Sequence, residues 1–182
     1  MELETRRLIL RPFTLEDAED VFAYAADPRV GPAAGWPVHK SVEESREIIR
    51  TVFTQPWDLA LVEKASGRVI GSGGLTGRHR QELPGADDEV GYVLSPAYWG
   101  RGLVVEAMEA VIAVAFKRLG LDHLWCCRFA GNEKSRRVQE KLGFLPWGEP
   151  VWTEVPALGE RRLEYITLLT RQRWIERGGQ GK

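Results

Sequence analysis

Residues 95–107 read S-P-A-Y-W-G-R-G-L-V-V-E-A, and this stretch says most about how the chain folds. Two glycines at alternate positions, Gly100 and Gly102, separate a strand-like pattern from a long apolar helix pattern. Glycine adopts backbone conformations that other residues avoid, and it lets the backbone approach a ligand closely. The first N–H groups of the following helix lack intrahelical partners and carry partial positive charge. The stretch therefore predicts a loop that binds phosphate or pyrophosphate.

The spacing of these glycines differs from that of two well-known phosphate loops. It matches neither G-x-G-x-x-G, the dinucleotide fingerprint, nor G-x-x-x-x-G-K-[ST], the P-loop. The alternative is a tight strand-to-helix turn that holds no ligand, and the glycines alone do not separate the two interpretations.

The composition predicts a single soluble domain over residues 1–182. The hydrophobic content of 43% and the charged content of 28% are ordinary for a globular protein. Lys and Arg number 25 against 26 Asp and Glu, so the net charge is −1. This balance argues against broad binding to nucleic acid or to anionic membranes, and we expect neither partner.

The cysteines and histidines give no metal-binding pattern. Cys126 and Cys127 are adjacent, without a C-x-x-C pair, and the three histidines show no H-E-x-x-H spacing. No metal is expected. No apolar run reaches membrane-spanning length, and the N-terminal M-E-L-E-T-R-R is charged rather than signal-like. A cytoplasmic location is the expectation.

Hydrophobic periodicity predicts alternating strands and helices. The predicted strands cover residues 8–13, 57–62, 69–75, 89–94, 124–129, 147–155 and 163–169. The predicted helices follow Thr14 and Ser41, cover residues 103–119, run from Asn132 to Gly143, and close the chain at 171–177. Residues 31–40, rich in Gly and Pro, predict an irregular loop.

Several motifs occur in a fixed order along the chain. They are T-R-R-L-I-L-R-P-F (5–13), E-V-G-Y-V-L (89–94), Y-W-G-R-G-L (98–103), N-E-K-S (132–135), L-G-F (142–144) and E-Y-I-T-L (164–168). Each motif is weak alone, but the ordered set resembles the GNAT family of N-acetyltransferases, closest to its RimJ/RimL-like branch. The resemblance covers nearly the whole chain.

The resemblance implies an α+β fold, with a mixed, mostly antiparallel central sheet flanked by helices. In that fold two neighbouring central strands splay apart, and the pantetheine arm of acetyl-CoA enters the gap. Here the splayed strands are residues 89–94 and 124–129. Acetyl-CoA is thereby implied as the acetyl donor.

The family's loop pattern, Q/R-x-x-G-x-G/A, carries the pyrophosphate site onto this chain. It assigns donor binding to Gly100, Arg101, Gly102, Leu103 and Val104. Ala97 occupies the Q/R position, so one polar contact is missing, and Arg101 is available to pair with a phosphate. The family's pantetheine-binding asparagine matches Asn132, for which a helix N-cap role alone is the alternative.

Glu89 is the leading candidate for the general base. By strand alternation its side chain shares a face with Gly91 and Val93, beside the expected gap. An amine with a pKa of ~10 is mostly protonated at neutral pH, so direct acyl transfer needs a base or desolvation. The alternative for Glu89 is a solvated carboxylate at a strand start.

The remaining catalytic groups are a backbone N–H and a serine. The oxyanion would find the N–H of Val93 or Leu94, where the splay leaves donors unpaired. Many GNAT enzymes protonate the leaving thiolate with a tyrosine, but Gln139 matches that position. Ser135 is the candidate instead, since RimL-like enzymes can use a serine; an ordinary first-turn serine is the alternative. No covalent acyl-cysteine is expected.

The acceptor is expected to be a primary amine, either a protein N-terminus or a small molecule. Trp36 is assigned to acceptor binding, because its Gly/Pro-rich loop matches the family's acceptor side. A non-catalytic acyl-CoA-binding or regulatory module is the competing hypothesis, kept open by Gln139. A homodimer is also left open.

Overall fold

A computed structural model of the chain describes residues 2–179. Met1 and residues 180–182, which the expected domain includes, lie outside this range. The helices are α1 (Ala18–Ala25), α2 (Gly31–Ala34), α3 (Val42–Thr51), α4 (Leu103–Lys117), α5 (Glu133–Leu142) and α6 (Arg171–Glu176). The strands are β1 (Leu3–Glu4), β2 (Leu8–Pro12), β3 (Leu59–Glu63), β4 (Val69–Leu75), β5 (Asp87–Leu94), β6 (His123–Phe129), β7 (Leu145–Pro146), β8 (Val151–Val155) and β9 (Glu160–Thr170).

The strands form one sheet that is mostly antiparallel. Its order is β1-β2-β3-β4-β5-β6-β9-β7, and β8 pairs with the free part of β9. The central pair β5–β6 is parallel, whereas the other pairs are antiparallel. Helix α4 makes the crossover that a parallel pair requires. This topology confirms the predicted α+β fold.

The parallel pair separates partway along its length. Pairing runs from Asp87↔His123 to Glu89↔Trp125. Beyond Glu89, β5 stays paired with β4 as far as Leu94, and β6 stays paired with β9 as far as Phe129. The two strands therefore diverge into a gap, as the family resemblance implied for residues 89–94 and 124–129.

The helices cover both faces of the sheet. Helix α4 packs on one face because it is apolar around most of its circumference; Ala107, Met108, Val111 and Ile112 are at most 1% exposed. Helices α1 and α3 cover the other face through a second cluster that contains Val21, Tyr24 and Ile49. The gap between β5 and β6 therefore opens between two helical layers.

Two predicted segments were wrong in detail. Residues 31–40 are not wholly irregular, because Gly31–Ala34 form a single helical turn. Pro32 presets a helical φ, and Gly35 ends the turn in the left-handed region at φ 93°. The predicted strand 147–155 is a strand only from Val151, as β8, because residues 147–150 form the connection from β7 and include Gly148 at φ 67°.

No helix within residues 2–179 combines the length and the apolar character needed to cross a membrane.

Candidate active site

The glycine loop connects β5 to α4 and is anchored to the end of β5. The Trp99 indole Nε1 donates a hydrogen bond of 2.8 Å to the Leu94 carbonyl. Gly100 and Gly102 both lie in the left-handed region, at φ 77° and 73°. A Cβ at either position would meet no protein atom closer than 3.8 Å, so space is not what excludes a side chain. The strain would come from the left-handed backbone conformation, which residues other than glycine avoid. The loop therefore depends on glycine for its path rather than for space.

The start of α4 presents N–H groups to a cleft. Gly102 is the N-cap, and the Glu106 N–H donates to its carbonyl at 3.1 Å. The N–H groups of Leu103 and Val104 precede that first intrahelical bond and need partners from elsewhere. Both residues line the cleft. A 15-residue helix with its positive end at this point provides a suitable site for an anion.

Arg101 lies outside this cleft. Its guanidinium stands 4.9 Å from the centre of the Tyr98 ring, and its Nη1 atom is 3.9 Å from Glu63 Oε1. The side chain is 55% exposed. Its predicted pairing with a phosphate stays a prediction and requires a change of rotamer.

The cleft itself follows the strand gap. Its volume of about 1290 Å³ exceeds the roughly 300–1,000 Å³ usual for a small-molecule site, so it has room for two substrates. Its lining includes Gly100, Gly102 and side chains of α5, together with Trp36 and Glu89. The cleft thus joins the predicted donor and acceptor sides.

The backbone of β5 directs alternate N–H groups into the gap. The Glu89 carbonyl accepts from Thr76 N–H, and Ser95 N–H donates to the Ile70 carbonyl, so the odd-numbered residues form the ladder with β4. The peptide groups alternate in direction along a strand, so the N–H of Leu94 faces the gap, whereas that of Val93 belongs to the ladder. This geometry favours Leu94 over Val93 as an oxyanion donor.

Glu89 is buried at the point where the strands separate. It is 8% exposed, which excludes the solvated carboxylate considered above. Its Oε2 accepts a hydrogen bond of 3.0 Å from Thr76 Oγ1 and lies 3.4 Å from Arg78 Nη1. Burial raises the pKa of the Glu89 carboxyl, and Arg78 and Thr76 offset part of that effect. A carboxylate with a raised pKa is better suited to accept a proton.

Ser135 lies across the gap, in the first turn of α5. Its Oγ is 3.0 Å from the Tyr92 hydroxyl and 3.3 Å from Gln139 Nε2. Asn132 caps the helix by accepting the Ser135 backbone N–H at 3.1 Å, as its N-cap role predicted. The Asn132 side chain also reaches the Ala33 carbonyl, at 3.4 Å. One residue therefore joins α5 to α2.

Trp36 packs directly after α2, with its ring against Gly31. The ring centre is 5.2 Å from that of His39, and both side chains line the cleft. Trp36 and Val93 contact the same core cluster, so they lie on the same face of the sheet. The structure thus places Trp36 on the face that carries Glu89.

Sequence reasoning missed the basic side chains of α5 that line the cleft. These are Lys134, Arg137 and Lys141, and Arg29 joins them from the segment between α1 and α2. Lys134 Nζ stands 4.1 Å from the centre of the Trp99 ring, beside the glycine loop. The available signal was their spacing of three and four residues, which puts them on one helix face. They add positive charge where a phosphorylated donor is expected.

The two cysteines line the cleft but are poor nucleophiles. Burial raises the pKa of the Cys126 thiol to about 12, and it raises the pKa of Cys127 as well. Nucleophilic attack needs a thiolate, which these surroundings disfavour. Within residues 2–179 no cluster of three or more His, Cys, Asp or Glu side chains could hold a metal ion.

Comparison with known proteins yields consistent matches. Residues 7–145 match the family described as acetyltransferase (GNAT) domain. The uncharacterized N-acetyltransferase YoaA of Bacillus subtilis (strain 168) is 31% identical over 154 residues, which cover 80% of this chain and 84% of that protein. A GNAT-family acetyltransferase structure from Bacillus anthracis has a TM-score of 0.81 at 23% identity, covering 94% of this chain and 99% of the other. The ribosomal-protein-S5-alanine acetyltransferase from Vibrio fischeri has a TM-score of 0.73 at 21% identity, covering 96% and 98%. At these identities the two structures show the shared fold.

Proposed function

The chain belongs to the acetyltransferase (GNAT) family, and we propose that it transfers an acetyl group from acetyl-CoA directly to a primary amine. One observation carries this proposal: a single cleft joins a left-handed glycine loop, at a helix N-terminus, to a buried carboxylate at the strand gap. The first element suits a pyrophosphate, and the second suits an amine that must lose a proton.

The residues at the donor end fit acetyl-CoA. The N–H groups at the start of α4 would hold the pyrophosphate, aided by the positive charges of Lys134 and Arg137. The gap between β5 and β6 leaves strand N–H groups available to the pantetheine amides. Asn132 stands at the mouth of this gap, where its side-chain amide now contacts the Ala33 carbonyl.

The acceptor end fits an amine. Glu89 takes a proton from the ammonium group of the acceptor, directly or through water, and the neutral nitrogen then attacks the thioester carbonyl. The Leu94 N–H stabilises the negative charge that develops on the carbonyl oxygen. Trp36 forms the wall of this end of the cleft.

The CoA thiolate, which is the leaving group, requires a hydrogen-bond donor close to its sulfur. As the C–S bond breaks, its electron pair stays on sulfur, and the Ser135 hydroxyl donates a hydrogen bond to it. Ser135 stands on α5, across the gap from Glu89, so the base and this donor approach the thioester from different sides.

Direct transfer predicts a sequential kinetic mechanism. Because the pKa of both cysteine thiols is raised, neither should carry the acetyl group, and both substrates must be bound together. Initial velocities measured with acetyl-CoA and an amine, through release of free thiol, should give intersecting double-reciprocal lines. Parallel lines would indicate an acetyl-enzyme intermediate and would overturn the direct mechanism.

A protein N-terminus is the acceptor class we favour, with acetylation in the cytoplasm, where acetyl-CoA is available. The support is the fold shared with a ribosomal-protein-alanine acetyltransferase and the open acceptor end of the cleft. Small amines are the second acceptor class, and the same kinetic assay compares both.

Replacing Ser135 should lower turnover more than donor binding. We expect Ser135→Ala to reduce kcat on the order of 10–1,000-fold, because charge gathers on sulfur only in the transition state. The KM for acetyl-CoA should change little. The helix cap survives this substitution, since Asn132 bonds the backbone N–H of Ser135.

Two controls separate catalysis from folding. Thermal melts of Ser135→Ala should lie close to those of the parent, and Ser135→Cys, which keeps a weak donor, should retain intermediate activity. Parental kcat in both folded variants would remove Ser135 from the mechanism.

A further inference from the structure

Tyr92 reaches across the strand gap to Ser135, which is proposed to donate a hydrogen bond to the leaving thiolate. It lies on β5 three residues after Glu89, so its side chain projects from the opposite face of the strand. That face is covered by α4, and the Tyr92 ring packs against the hydrophobic core cluster to which the buried side chains of α4 belong. Its hydroxyl stands 3.0 Å from Ser135 Oγ and 3.3 Å from the Ser135 carbonyl. A side chain of β5 thus contacts α5 at the one residue assigned to the leaving group.

Gln139 approaches the same serine from one helical turn further along α5. Its Nε2 lies 3.2 Å from the Cys127 carbonyl, and a carbonyl accepts only from a donor, so the amide nitrogen must face this way. The second hydrogen of this nitrogen has two acceptors within reach, Ser135 Oγ at 3.3 Å and Cys126 Sγ at 3.2 Å, and the hydroxyl oxygen is the stronger acceptor of the two. Gln139 is 2% exposed, and its Oε1 has no hydrogen-bond partner among the described residues. The amide therefore holds this orientation although its oxygen is left unsatisfied.

The hydrogen-bonding capacity of a serine hydroxyl explains the arrangement. Such a hydroxyl has one donor hydrogen and two acceptor lone pairs. Tyr92 O–H has two acceptors on Ser135, the Oγ at 3.0 Å and the carbonyl at 3.3 Å. With Tyr92 donating to the nearer Oγ, and Gln139 N–H donating to the same oxygen, both acceptor sites of the hydroxyl are filled. The serine proton must then point away from both neighbours.

We propose that Tyr92, together with Gln139, positions the Ser135 hydroxyl so that its proton is directed at the sulfur of the leaving thiolate. The proposal rests on the acetyl transfer proposed above. It makes Tyr92 and Gln139 positioning residues, which act through Ser135 rather than on the substrate.

Tyr92 takes no part in the bond changes of acetyl transfer. The nitrogen–carbon bond forms, the carbon–sulfur bond breaks, and the sulfur keeps the electron pair. Glu89 takes one proton from the ammonium group, and the second proton, which the nitrogen loses as the amide forms, goes to the thiolate sulfur or to water. Burial raises the pKa of Tyr92 well above its usual value, so the phenol keeps its proton and serves as a hydrogen-bond donor throughout.

Kinetics of Tyr92→Phe test this assignment. The variant should lower kcat roughly 3- to 10-fold, as expected for the loss of one net hydrogen bond, with an unchanged KM for acetyl-CoA. Tyr165→Phe is the matched control, because Tyr165 lies on β9 and does not line the cleft. It should turn over at the parental rate. Parental kcat in a folded Tyr92→Phe variant would overturn the proposal.

A double-mutant cycle identifies the route of action. If Tyr92 acts through Ser135, Tyr92→Phe should cause no further loss of kcat in the Ser135→Ala background. An equal loss in both backgrounds would show that Tyr92 acts on the substrate itself, and the positioning role would be wrong.

Binding provides a readout that does not depend on turnover. At alkaline pH, where the thiol of CoA is ionised, the Ser135 donor should make CoA bind more tightly than desulfo-CoA. Calorimetry should show this preference in the parent and its reduction in both Tyr92→Phe and Ser135→Ala. Loss of the preference in Ser135→Ala but not in Tyr92→Phe would contradict the proposal, as would its absence from the parent. A parent that shows the preference but transfers no acetyl group would instead refute the proposed function and leave the positioning role standing.

Discussion

Gly102→Val should abolish high-affinity binding of acetyl-CoA. Gly102 adopts φ 73° at the N-cap of α4, and a β-branched residue is strongly disfavoured there. The loop must change its path to accommodate valine, which moves the N–H groups away from the pyrophosphate. Each charge-assisted hydrogen bond contributes about 1.5–3 kcal/mol, so the loss of two weakens Kd by roughly 100-fold or more. Isothermal titration calorimetry measures this directly.

Gly120→Val is the matched control for this substitution. Gly120 has the same φ of 73°, and, as at Gly102, no protein atom would clash with an added Cβ. It follows α4 at the opposite end and does not line the cleft. Both variants should lose similar stability in thermal melts, but Gly120→Val should bind acetyl-CoA as the parent does. Equal affinities in the two folded variants would exclude the glycine loop as the pyrophosphate site.

Glu89→Gln should have the largest effect on the chemical step. A positioned general base contributes roughly 10²–10⁴-fold, so kcat near neutral pH should fall by about that factor. The affinity for acetyl-CoA should stay close to that of the parent, because Glu89 is proposed to act on the acceptor amine and not on the donor. Glu47→Gln, on the exposed surface of α3, is the matched control and should leave kcat unchanged.

The pH dependence of this effect has a definite sign. Burial raises the pKa of Glu89, so activity of the parent should increase as pH rises through that pKa and the carboxylate ionises. Glu89→Gln lacks this rise in activity, because it has no carboxyl group to ionise. Its rate should instead increase with the neutral fraction of the amine, up to the amine pKa of ~10. The ratio of parental to variant kcat should therefore shrink as pH approaches that value. A pH–rate profile that is the same in both proteins would show that Glu89 is not the base.

The contribution of Glu89 to the stability of the fold should decrease as pH rises, whereas its contribution to activity should increase. The pKa of Glu89 is higher in the folded protein, so its contribution favours folding at low pH and is lost as pH rises through the folded pKa. At neutral pH a buried charge then opposes folding, and glutamine removes that charge. Glu89→Gln should melt at the parental temperature or above it, so that its loss of activity cannot be ascribed to unfolding.

Much of the fold could be predicted from local pattern, because its elements repeat simple periodicities. The strand at residues 69–75 was predicted at its observed bounds, and the buried helix beginning at Leu103 was recognised from its apolar character. The segment at Gly31–Ala34 was missed because a single helical turn has no periodicity to detect. The bounds of β7 and β8 depend on pairing with β9, which no local pattern encodes.

Those parts of the candidate site that lie within recognisable sequence motifs could be predicted from the sequence. The glycine loop and Glu89 could be placed in this way. The contact between Tyr92 and Ser135 joins residues 43 positions apart, and it exists only because the strands diverge. The outward direction of Arg101 likewise depends on Glu63 and Tyr98, which tertiary structure brings beside it.

The proposed transfer of an acetyl group from acetyl-CoA to a primary amine can be tested directly. The most direct measurement incubates the protein with acetyl-CoA and a panel of peptides, amino acids and polyamines, and analyses the products by mass spectrometry. We expect one acceptor class to gain the mass of a single acetyl group at its amine, with one CoA released for each product. Glu89→Gln should give this product far more slowly at neutral pH. Tight binding of acetyl-CoA without acetylation of any amine in the panel would contradict the account and would favour a non-catalytic acyl-CoA-binding module.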